Sequence, residues 1–186
     1  METISKNKLF VISGSSGVGK GTVIKSLLSK CKNLELSISC TTRSPREGEK
    51  HAENYFFISK EDFKSGVDNG DFLEWAEFSG NFYGTKKSYV ENSFNSNKNV
   101  LLEIETQGAL QIKKKMPEAV LIFIAPPSFE ELEARLRGRH TETEEAIQKR
   151  LEFVKLEIEN SKQYDYTVVN NTVENAVNKI LEIIGE

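Results

Sequence analysis

The feature that most constrains this fold is a glycine-rich segment from Gly14 to Lys20, which reads GSSGVGK. It follows a continuous apolar run, LFVIS from Leu9, and precedes a segment with apolar residues at helical spacing, at Val23, Leu27 and Leu28. A strand, a glycine-rich turn and a helix in this order let backbone N–H groups and the helix N-terminus point at one anion. The match to G-x-x-x-x-G-K therefore predicts a phosphate-binding loop, with Lys20 near the β- and γ-phosphates of a nucleotide.

Further apolar runs predict more buried strands, separated by helix-like segments. They are VLLEIE from Val100, AVLIFIA from Ala119 and YTVVN from Tyr166. Helix starts are marked where a capping side chain has a glutamate three residues later, at Ser128, Thr141 and Asn171. This alternation predicts an α/β fold of the P-loop NTPase type, in which helices flank a mostly parallel sheet.

Length and charge limit the classes of protein to consider. The 186 residues are enough for one compact domain, and a formal net charge of -3 gives no basic field for a nucleic-acid polymer. The N-terminal segment contains neither an apolar stretch of membrane-spanning length nor a signal-cleavage site. Cys31 and Cys40 match no metal-ligand spacing. We expect a cytoplasmic protein with small-molecule substrates and with neither a nucleic-acid nor a membrane partner.

Two segments depart from the strand and helix alternation. Short alternating runs and a GN turn in FSGNFYG indicate a small β-rich insertion between Ser37 and Tyr89. Between Ser128 and Tyr164 we predict two helices joined near RGRHT, the second with an apolar stripe of Ile147, Leu151, Val154 and Ile158. We predict one domain over 1–186, with a core at 1–36, 90–127 and 165–186, the insertion at 37–89 and the helical region at 128–164.

The loop motif also predicts the residues that bind ATP phosphates, which are Gly14, Ser15, Ser16, Gly17, Val18, Gly19, Lys20, Gly21 and Thr22. Position 21 departs from the pattern, because Gly21 stands where a Ser or Thr hydroxyl usually contacts Mg²⁺. Either the Thr22 hydroxyl, one place later, or water supplies that ligand. We expect Mg²⁺ as the cofactor with ATP and Thr22 as the candidate metal ligand.

Several motifs, in order along nearly the whole chain, resemble the guanylate kinase family of P-loop nucleoside monophosphate kinases. They are SCTTRSPREGE at 39–49, NYFF at 54–57, FLEWAEFSGNFYGT at 72–85, LEIETQGA at 102–109 and RLRGRHTETEEAIQKR at 135–150. The resemblance implies Mg²⁺-dependent transfer of the γ-phosphoryl group of ATP to GMP, and to dGMP, with ADP and GDP as the products from GMP. It also implies that the insertion binds GMP and that the helical region is a lid, both closing on the core.

The resemblance further implies a GMP site. Arg43 and Arg46 match the arginines that hold the GMP phosphate, and both side chains can fork onto one phosphate group. Tyr55 and Tyr83 match two tyrosines whose hydroxyls donate to the same phosphate. The other positions matched to GMP binding are Ser39, Glu49, Glu74, Thr85, Glu103 and Glu105.

Glu74 matches the acid that reads guanine, with Ser39 and Thr85 as hydroxyl partners. Guanine offers adjacent N1–H and 2-amino donors to one carboxylate, whereas adenine has an acceptor at N1 and no 2-amino group. Glu103 and Glu105 flank Ile104 on a predicted strand, so we expect only one of them to face the nucleotide cleft. Glu105 stands where the family more often has Asp.

The candidate catalytic residues are Lys20, Arg43, Arg135, Arg139 and Arg150, of which the last three match lid arginines of the family. Arg135 and Arg139 are one helical turn apart and would share a face. His140 stands where the family commonly has Gly in its lid motif. Asn170 matches a position near the adenine ring of ATP, so we include it in the ATP site.

Two other functions stay open at this point. Another nucleoside monophosphate kinase would act on AMP, UMP or dTMP, but Glu74 and Thr85 favour guanine. A non-catalytic module that binds phosphoproteins through the GMP site tends to lack a complete phosphate loop, whereas Gly14, Gly19 and Lys20 are all present. ATP binding would separate the module from an enzyme, and a panel of nucleoside monophosphates would separate the kinases.

Overall fold

The structure is a computed structural model that describes residues 7–15, 17–138 and 143–186. In chain order its elements are β1 (Leu9–Gly14), α1 (Lys20–Lys30), β2 (Leu34–Leu36), β3 (Cys40–Thr41), β4 (Phe56–Phe57), α2 (Lys60–Asp68), β5 (Phe72–Phe78), β6 (Asn81–Lys86), α3 (Lys87–Asn95), β7 (Asn99–Glu103), α4 (Thr106–Lys115), β8 (Val120–Ala125), α5 (Phe129–Arg137), α6 (Glu144–Asn160), β9 (Tyr166–Val169) and α7 (Val173–Ile184). Strands and helices alternate along much of the chain, as the apolar runs predict.

The larger sheet has five strands in the order β2-β7-β1-β8-β9. β2 is parallel to β7, with Leu36 opposite Leu101, and β8 is parallel to β9, with Ile124 opposite Val168. Every residue of β1 is buried, as expected for a strand of a parallel sheet that is covered on both faces. The sheet is mostly parallel and flanked by helices, which confirms the predicted α/β fold class.

The chain forms two compact units. Unit 1 comprises Met1–Val11 and Asn33–Ala119, and unit 2 comprises Ile12–Lys32 and Val120–Glu186. The division into core, insertion and lid stays a prediction. Among the described residues, no helix combines the length and the apolar character needed to cross a membrane.

Unit 1 contains a second sheet with four strands in the order β4-β3-β6-β5. β5 and β6 form an antiparallel hairpin, and Ser79 and Gly80 at its tip have φ angles of 51° and 74°. The turn is therefore centred one residue earlier than the GN pair of the sequence predicts. Phe63 stacks on Phe72, with ring centroids 4.4 Å apart, beside buried Cys40. This small sheet with its own core lies within the segment that the sequence predicts to be β-rich.

Unit 2 contains the two helices predicted after Ser128. The Ser128 hydroxyl accepts the N–H of Glu131 and caps α5, but α6 is capped by Thr143, whereas the predicted cap Thr141 lies outside the described residues. Leu132 and Leu136 of α5 pack with the α6 stripe of Ile147, Leu151 and Val154. Ile158 was expected in this stripe and is exposed, because the buried face continues at Glu157, three residues after Val154.

The last helix also begins one residue later than its sequence signal predicts. The Thr172 hydroxyl accepts the N–H of Asn175 at 3.2 Å, so Thr172, not Asn171, caps α7. The buried face of α7 consists of Ala176, Val177, Ile180 and Ile184. α7 contacts both α1 and β9 within unit 2, which places its N-terminal turn beside the phosphate loop.

Candidate active site

The phosphate loop connects β1 to α1 within unit 2. Gly17 and Gly19 have φ angles of 85° and 88°, a region that side chains rarely adopt, which explains two glycines of the motif. The N–H of Val18 donates to the carbonyl of Ser15 at 3.1 Å and tightens the turn. Gly19 caps α1 without a side-chain acceptor, so the first N–H groups of that helix remain available for an anion.

A cavity of about 460 Å³ adjoins this loop. Its lining includes Gly17, Gly19 and Thr22 on the loop side, and Asn170 and Thr172 from the connection between β9 and α7. The Asn170 amide donates to the carbonyl of Val18 at 2.7 Å. Asn170 is buried, and its Oδ1 has no hydrogen-bond partner among the described residues. Asn170 therefore holds the loop and contributes to the lining of the cavity.

The start of α1 supplies the remaining loop groups. Lys20 is half-buried, whereas Gly21 and Thr22 are exposed. A Cβ atom on Gly21 would meet nothing within 4 Å, so the missing Ser or Thr of the motif would fit there. The Thr22 hydroxyl side chain lines the cavity. Within the described part of the chain, no group of three or more His, Cys, Asp and Glu side chains could hold a metal.

A single protein hydroxyl beside the phosphate loop fits Mg²⁺, because this ion keeps several waters, binds substrate phosphates and is rarely held by protein ligands alone. Thr22 is the residue that would contribute the hydroxyl. The other predicted loop residues lie as expected, with Gly14 ending β1 and Ser15 buried beside it, whereas Ser16 lies outside the described residues.

The predicted lid arginines are only partly described. Arg135 lies in α5, and Arg150 lies in α6 with a half-buried side chain. Arg139 and His140 lie outside the described residues. The helices predicted to carry the lid therefore exist, and the roles of its arginines stay predictions.

Unit 1 brings the predicted phosphate-binding residues together around Arg43. The Arg43 guanidinium donates to both carboxylate oxygens of Glu49 at 2.9 Å. It also lies 5.5 Å from the centroid of the Tyr55 ring, within cation–π range. The rings of Tyr55 and Tyr83 are 6.1 Å apart in an edge-to-face arrangement. Arg43 is therefore held in place by a bidentate ion pair and an aromatic wall.

This arrangement determines the protonation states of Glu49 and Tyr55. The hydrogen bonds from the Arg43 guanidinium and from the backbone N–H of Arg46 lower the pKa of Glu49. Burial, followed by the negative charge of Glu103, raises the pKa of the Tyr55 hydroxyl. At neutral pH, Glu49 is therefore an anion and Tyr55 a neutral donor, as the predicted phosphate site requires.

Glu74 and Thr85 form a buried pair across the β5–β6 hairpin. The two residues are opposite each other in the strand register, and the Thr85 hydroxyl donates to Oε1 of Glu74 at 2.7 Å. Glu74 is 3% exposed. Burial raises the pKa of its carboxyl, while hydrogen bonds from Thr85 and the charge of Lys115 act in the opposite direction. A carboxylate with one oxygen engaged and little water around it is suited to accept paired donors from a ligand.

The structure also describes the other residues predicted to bind GMP, besides those around Arg43 and the Glu74–Thr85 pair. Ser39 is half-buried and its carbonyl accepts the N–H of Phe56 at 2.9 Å. The Arg46 backbone N–H donates to Glu49 at 2.7 Å, and its side chain is exposed. Glu103 is the exposed last residue of β7.

The prediction that Glu105 lies on the same strand as Glu103 was wrong. β7 ends at Glu103, and Glu105 is the N-cap residue of α4. The alternation of strand side chains therefore does not decide which of the two faces a nucleotide. The apolar character of Ile104 extended the predicted strand past Glu103, where β7 ends.

Sequence reasoning missed Thr41, which supports Arg43. Thr41 is fully buried; its hydroxyl accepts the N–H of Arg43 at 3.2 Å and donates to the carbonyl of Phe82 at 3.1 Å. A threonine two residues before a functional arginine is a local signal for such a turn, although its strand partner is visible only in the fold.

Comparison with known proteins agrees with this geometry. The family model described as guanylate kinase matches residues 6–186. The guanylate kinase of Prochlorococcus marinus subsp. pastoris is 54% identical over 177 residues, covering 95% of this chain and 96% of the relative. That of Halalkalibacterium halodurans is 50% identical over 179 residues, covering 96% and 88%.

A solved structure gives the same result. The crystal structure of guanylate kinase from Anaplasma phagocytophilum superposes with a TM-score of 0.79 and 34% identity, covering 97% of this chain and 86% of that one. Because the family match and the relatives extend over nearly all of the sequence, this chain belongs to the guanylate kinase family and is a nucleoside monophosphate kinase.

Proposed function

We propose that this protein is a guanylate kinase that transfers the γ-phosphoryl group of ATP to GMP, and to dGMP, and releases ADP with GDP or dGDP. The observation that carries the proposal is the buried Glu74–Thr85 pair. The Glu74 carboxylate accepts the N1–H and 2-amino donors of guanine, while the Thr85 hydroxyl donates to Oε1 and holds it in place. Adenine would leave the buried carboxylate facing a lone pair, which disfavours AMP strongly.

ATP binds in unit 2. The phosphate loop surrounds the β- and γ-phosphates with backbone N–H groups, and the Lys20 ammonium neutralises the transferred group. Asn170, whose amide holds the Val18 carbonyl and which lines the cavity, lies near the adenine ring. The Thr22 hydroxyl would hold Mg²⁺ with ATP, and the ion would supply positive charge at the phosphates.

GMP binds in unit 1 through cations and neutral donors. Arg43 and Arg46 receive its phosphate, and Tyr55 and Tyr83 donate hydroxyl hydrogen bonds to it. Arg43 already carries two bonds to Glu49, so the phosphate uses its remaining N–H groups and the Coulomb attraction. The phosphate needs no general base, because it is an anion at neutral pH. Positioning and charge neutralisation therefore suffice for the transfer.

The remaining parts of the proposal concern the chain outside these two sites. Residues 37–89 are the GMP-binding region, and residues 128–164 are a lid that brings Arg135, Arg139 and Arg150 to the phosphates. Glu103 and Glu105 contribute carboxylates near GMP. Two cysteines, both buried, suit a reducing cytoplasm.

A coupled assay of ADP release tests the proposal. The purified chain receives ATP and Mg²⁺ with GMP, dGMP, AMP, UMP or dTMP in separate reactions. We expect turnover with GMP and dGMP to exceed that with the other acceptors by orders of magnitude. Turnover with AMP or a pyrimidine nucleotide above that with GMP would contradict the proposed substrate, and ATP binding without any turnover would indicate a non-catalytic module.

A further inference from the structure

β5 is an edge strand, and the side chains of α4 hold its outer backbone. Within the described part of the chain the small sheet ends at β5, so the backbone groups of Leu73 and Trp75 that point away from β6 lie on its outer edge. The Gln111 amide contacts this edge at Trp75, donating to its carbonyl at 2.8 Å and accepting its N–H at 3.4 Å. The Lys115 ammonium donates to the carbonyl of Leu73 at 2.6 Å. These contacts lie on either side of Glu74 along the strand.

The strand is bulged at the same point. Phe72 pairs with Lys86 and Glu74 pairs with Thr85, so Leu73 is an extra residue on β5. Phe72, Leu73 and Glu74 are all buried, which breaks the alternation of a regular strand. A bulge re-aims the next side chain, and Lys115 satisfies the carbonyl that the bulge leaves without a ladder partner.

Gly108 provides the space that the Glu74 carboxylate occupies. A Cβ atom on Gly108 would overlap Oε2 of Glu74 and would lie 3.2 Å from its Cδ. Gly108 lies in the first turn of α4 and is buried. Gly108, Gln111 and Lys115, spaced three and four residues apart, share one face of the helix. The same face therefore contacts the carboxylate and the backbone on both sides of it.

We infer that this face of α4, formed by Gly108, Gln111 and Lys115, positions the Glu74 carboxylate for guanine. The inference rests on the proposed function, in which Glu74 reads the base. Guanine recognition needs both carboxylate oxygens at fixed places, because N1–H and the 2-amino group are adjacent donors. Thr85 fixes Oε1, the absent side chain of Gly108 admits Oε2, and Gln111 and Lys115 hold the bulged backbone from which the side chain extends. The three are positioning residues that do not touch the substrate.

Gly108→Ala is the direct test. The added methyl displaces the end of a flexible side chain and not backbone, and Ala is a better helix former than Gly, so the variant is expected to fold. We expect kcat/KM for GMP to fall at least about tenfold with the KM for ATP within about twofold of wild type, since only the acceptor base loses its partner. Gln107→Ala, at the exposed neighbouring position, is the matched control and should leave both values unchanged.

A double-mutant cycle separates positioning from a merely structural role. If Gly108 acts through the carboxylate, Gly108→Ala should add less than about twofold to the loss of GMP activity in a Glu74→Gln background. Independent, multiplicative losses would overturn the inference. Lys115→Ala compared with Lys114→Ala provides a second pair, in which only the first should raise the KM for GMP and lower the ratio of GMP to AMP activity.

The outcomes distinguish this inference from the proposed function. A wild-type enzyme inactive with GMP would refute the proposed function and the inference with it. An active wild type whose guanine selectivity survives Glu74→Gln would refute the role of Glu74. A selectivity lost in Glu74→Gln but intact in both Gly108→Ala and Lys115→Ala would overturn the positioning role of α4 alone.

Discussion

The phosphate loop of unit 2 and the proposed GMP site of unit 1, which includes Arg43, Tyr55 and Glu74, are built in opposite ways. The loop is one contiguous segment whose proposed ligand groups are mostly backbone N–H, with Lys20 as its single charged side chain. The proposed GMP site instead relies on side chains that lie far apart along the chain. A contiguous loop concentrates its charge in one residue, whereas a dispersed site divides it. We therefore expect a single substitution to abolish activity when it falls in the phosphate loop and to reduce activity only partly when it falls in the proposed GMP site.

The two acidic residues of unit 1 show a second contrast. Glu49 is held as an anion by the Arg43 guanidinium, which lowers its pKa, whereas burial raises the pKa of Glu74. The Glu49 carboxylate is paired with the permanent cation of Arg43, whereas the Glu74 carboxylate is paired with the neutral hydroxyl of Thr85. Glu49 is therefore suited to hold the Arg43 side chain in place, and Glu74 is suited to accept hydrogen bonds from a ligand.

The largest effect is expected from Lys20→Ala. Loss of the only loop cation should lower kcat on the order of 10³-fold or more, because a charge beside the transferred group stabilises the transition state more than the ground state. Steady-state kinetics on the purified variant measure it. Lys25→Ala, on the exposed face of the same helix, is the control. Near-normal turnover in a folded Lys20→Ala protein would break the contrast between a concentrated and a dispersed site.

Glu74→Gln should have the next largest effect. Gln preserves the shape but turns one acceptor into an NH₂ donor, so the ratio of kcat/KM for GMP to that for AMP should fall at least about tenfold, mainly through lost GMP activity. The measurement uses saturating ATP. Glu77→Gln, at an exposed position of the same strand, should leave the ratio unchanged. If Glu74→Gln also leaves it unchanged, guanine is read by other groups.

Arg43→Ala and Arg46→Ala should have graded effects on one substrate. Each loses a charge-assisted bond to the GMP phosphate, so we expect the KM for GMP to rise about tenfold to a hundredfold while the KM for ATP changes little. The change should be larger for Arg43, because Glu49 and the Tyr55 ring already hold that side chain. Equal changes in both KM values would place these arginines at ATP as much as at GMP.

The smallest effect concerns stability and pH. Because the pKa of Glu74 is higher in the folded state than its unfolded value of about 4.3, the folded chain binds more protons between the two values. Its contribution to stability is therefore greatest below the unfolded pKa and is lost as the pH rises through the folded pKa. Relative to Glu74→Gln, the wild type should lose stability between acidic and neutral pH. Urea unfolding at several pH values measures this difference, and a constant difference would contradict it.

Much of this protein could be predicted from sequence where the determining contacts are local. The phosphate loop needs a strand, glycines at the positions that adopt positive φ, and a lysine at the start of a helix, all within a short stretch. The alternation of apolar runs likewise indicates the α/β class. The residues predicted to bind GMP came from the family resemblance. The start of α7 was predicted one residue too early, because the neighbouring polar side chains of Asn171 and Thr172 can both cap a helix.

Tertiary structure decided what depends on contacts distant in sequence. Glu105 belongs to the start of α4 and not to β7, which depended on where the helix could begin. Ile158 is exposed because α6 places Glu157 on its buried face instead. The environment of Glu74 arises from a strand bulge, a hydroxyl on the neighbouring strand and the face of a helix more than thirty residues away in sequence. No local pattern contains that combination, because burial and the resulting rise in the carboxyl pKa exist only once those elements pack together.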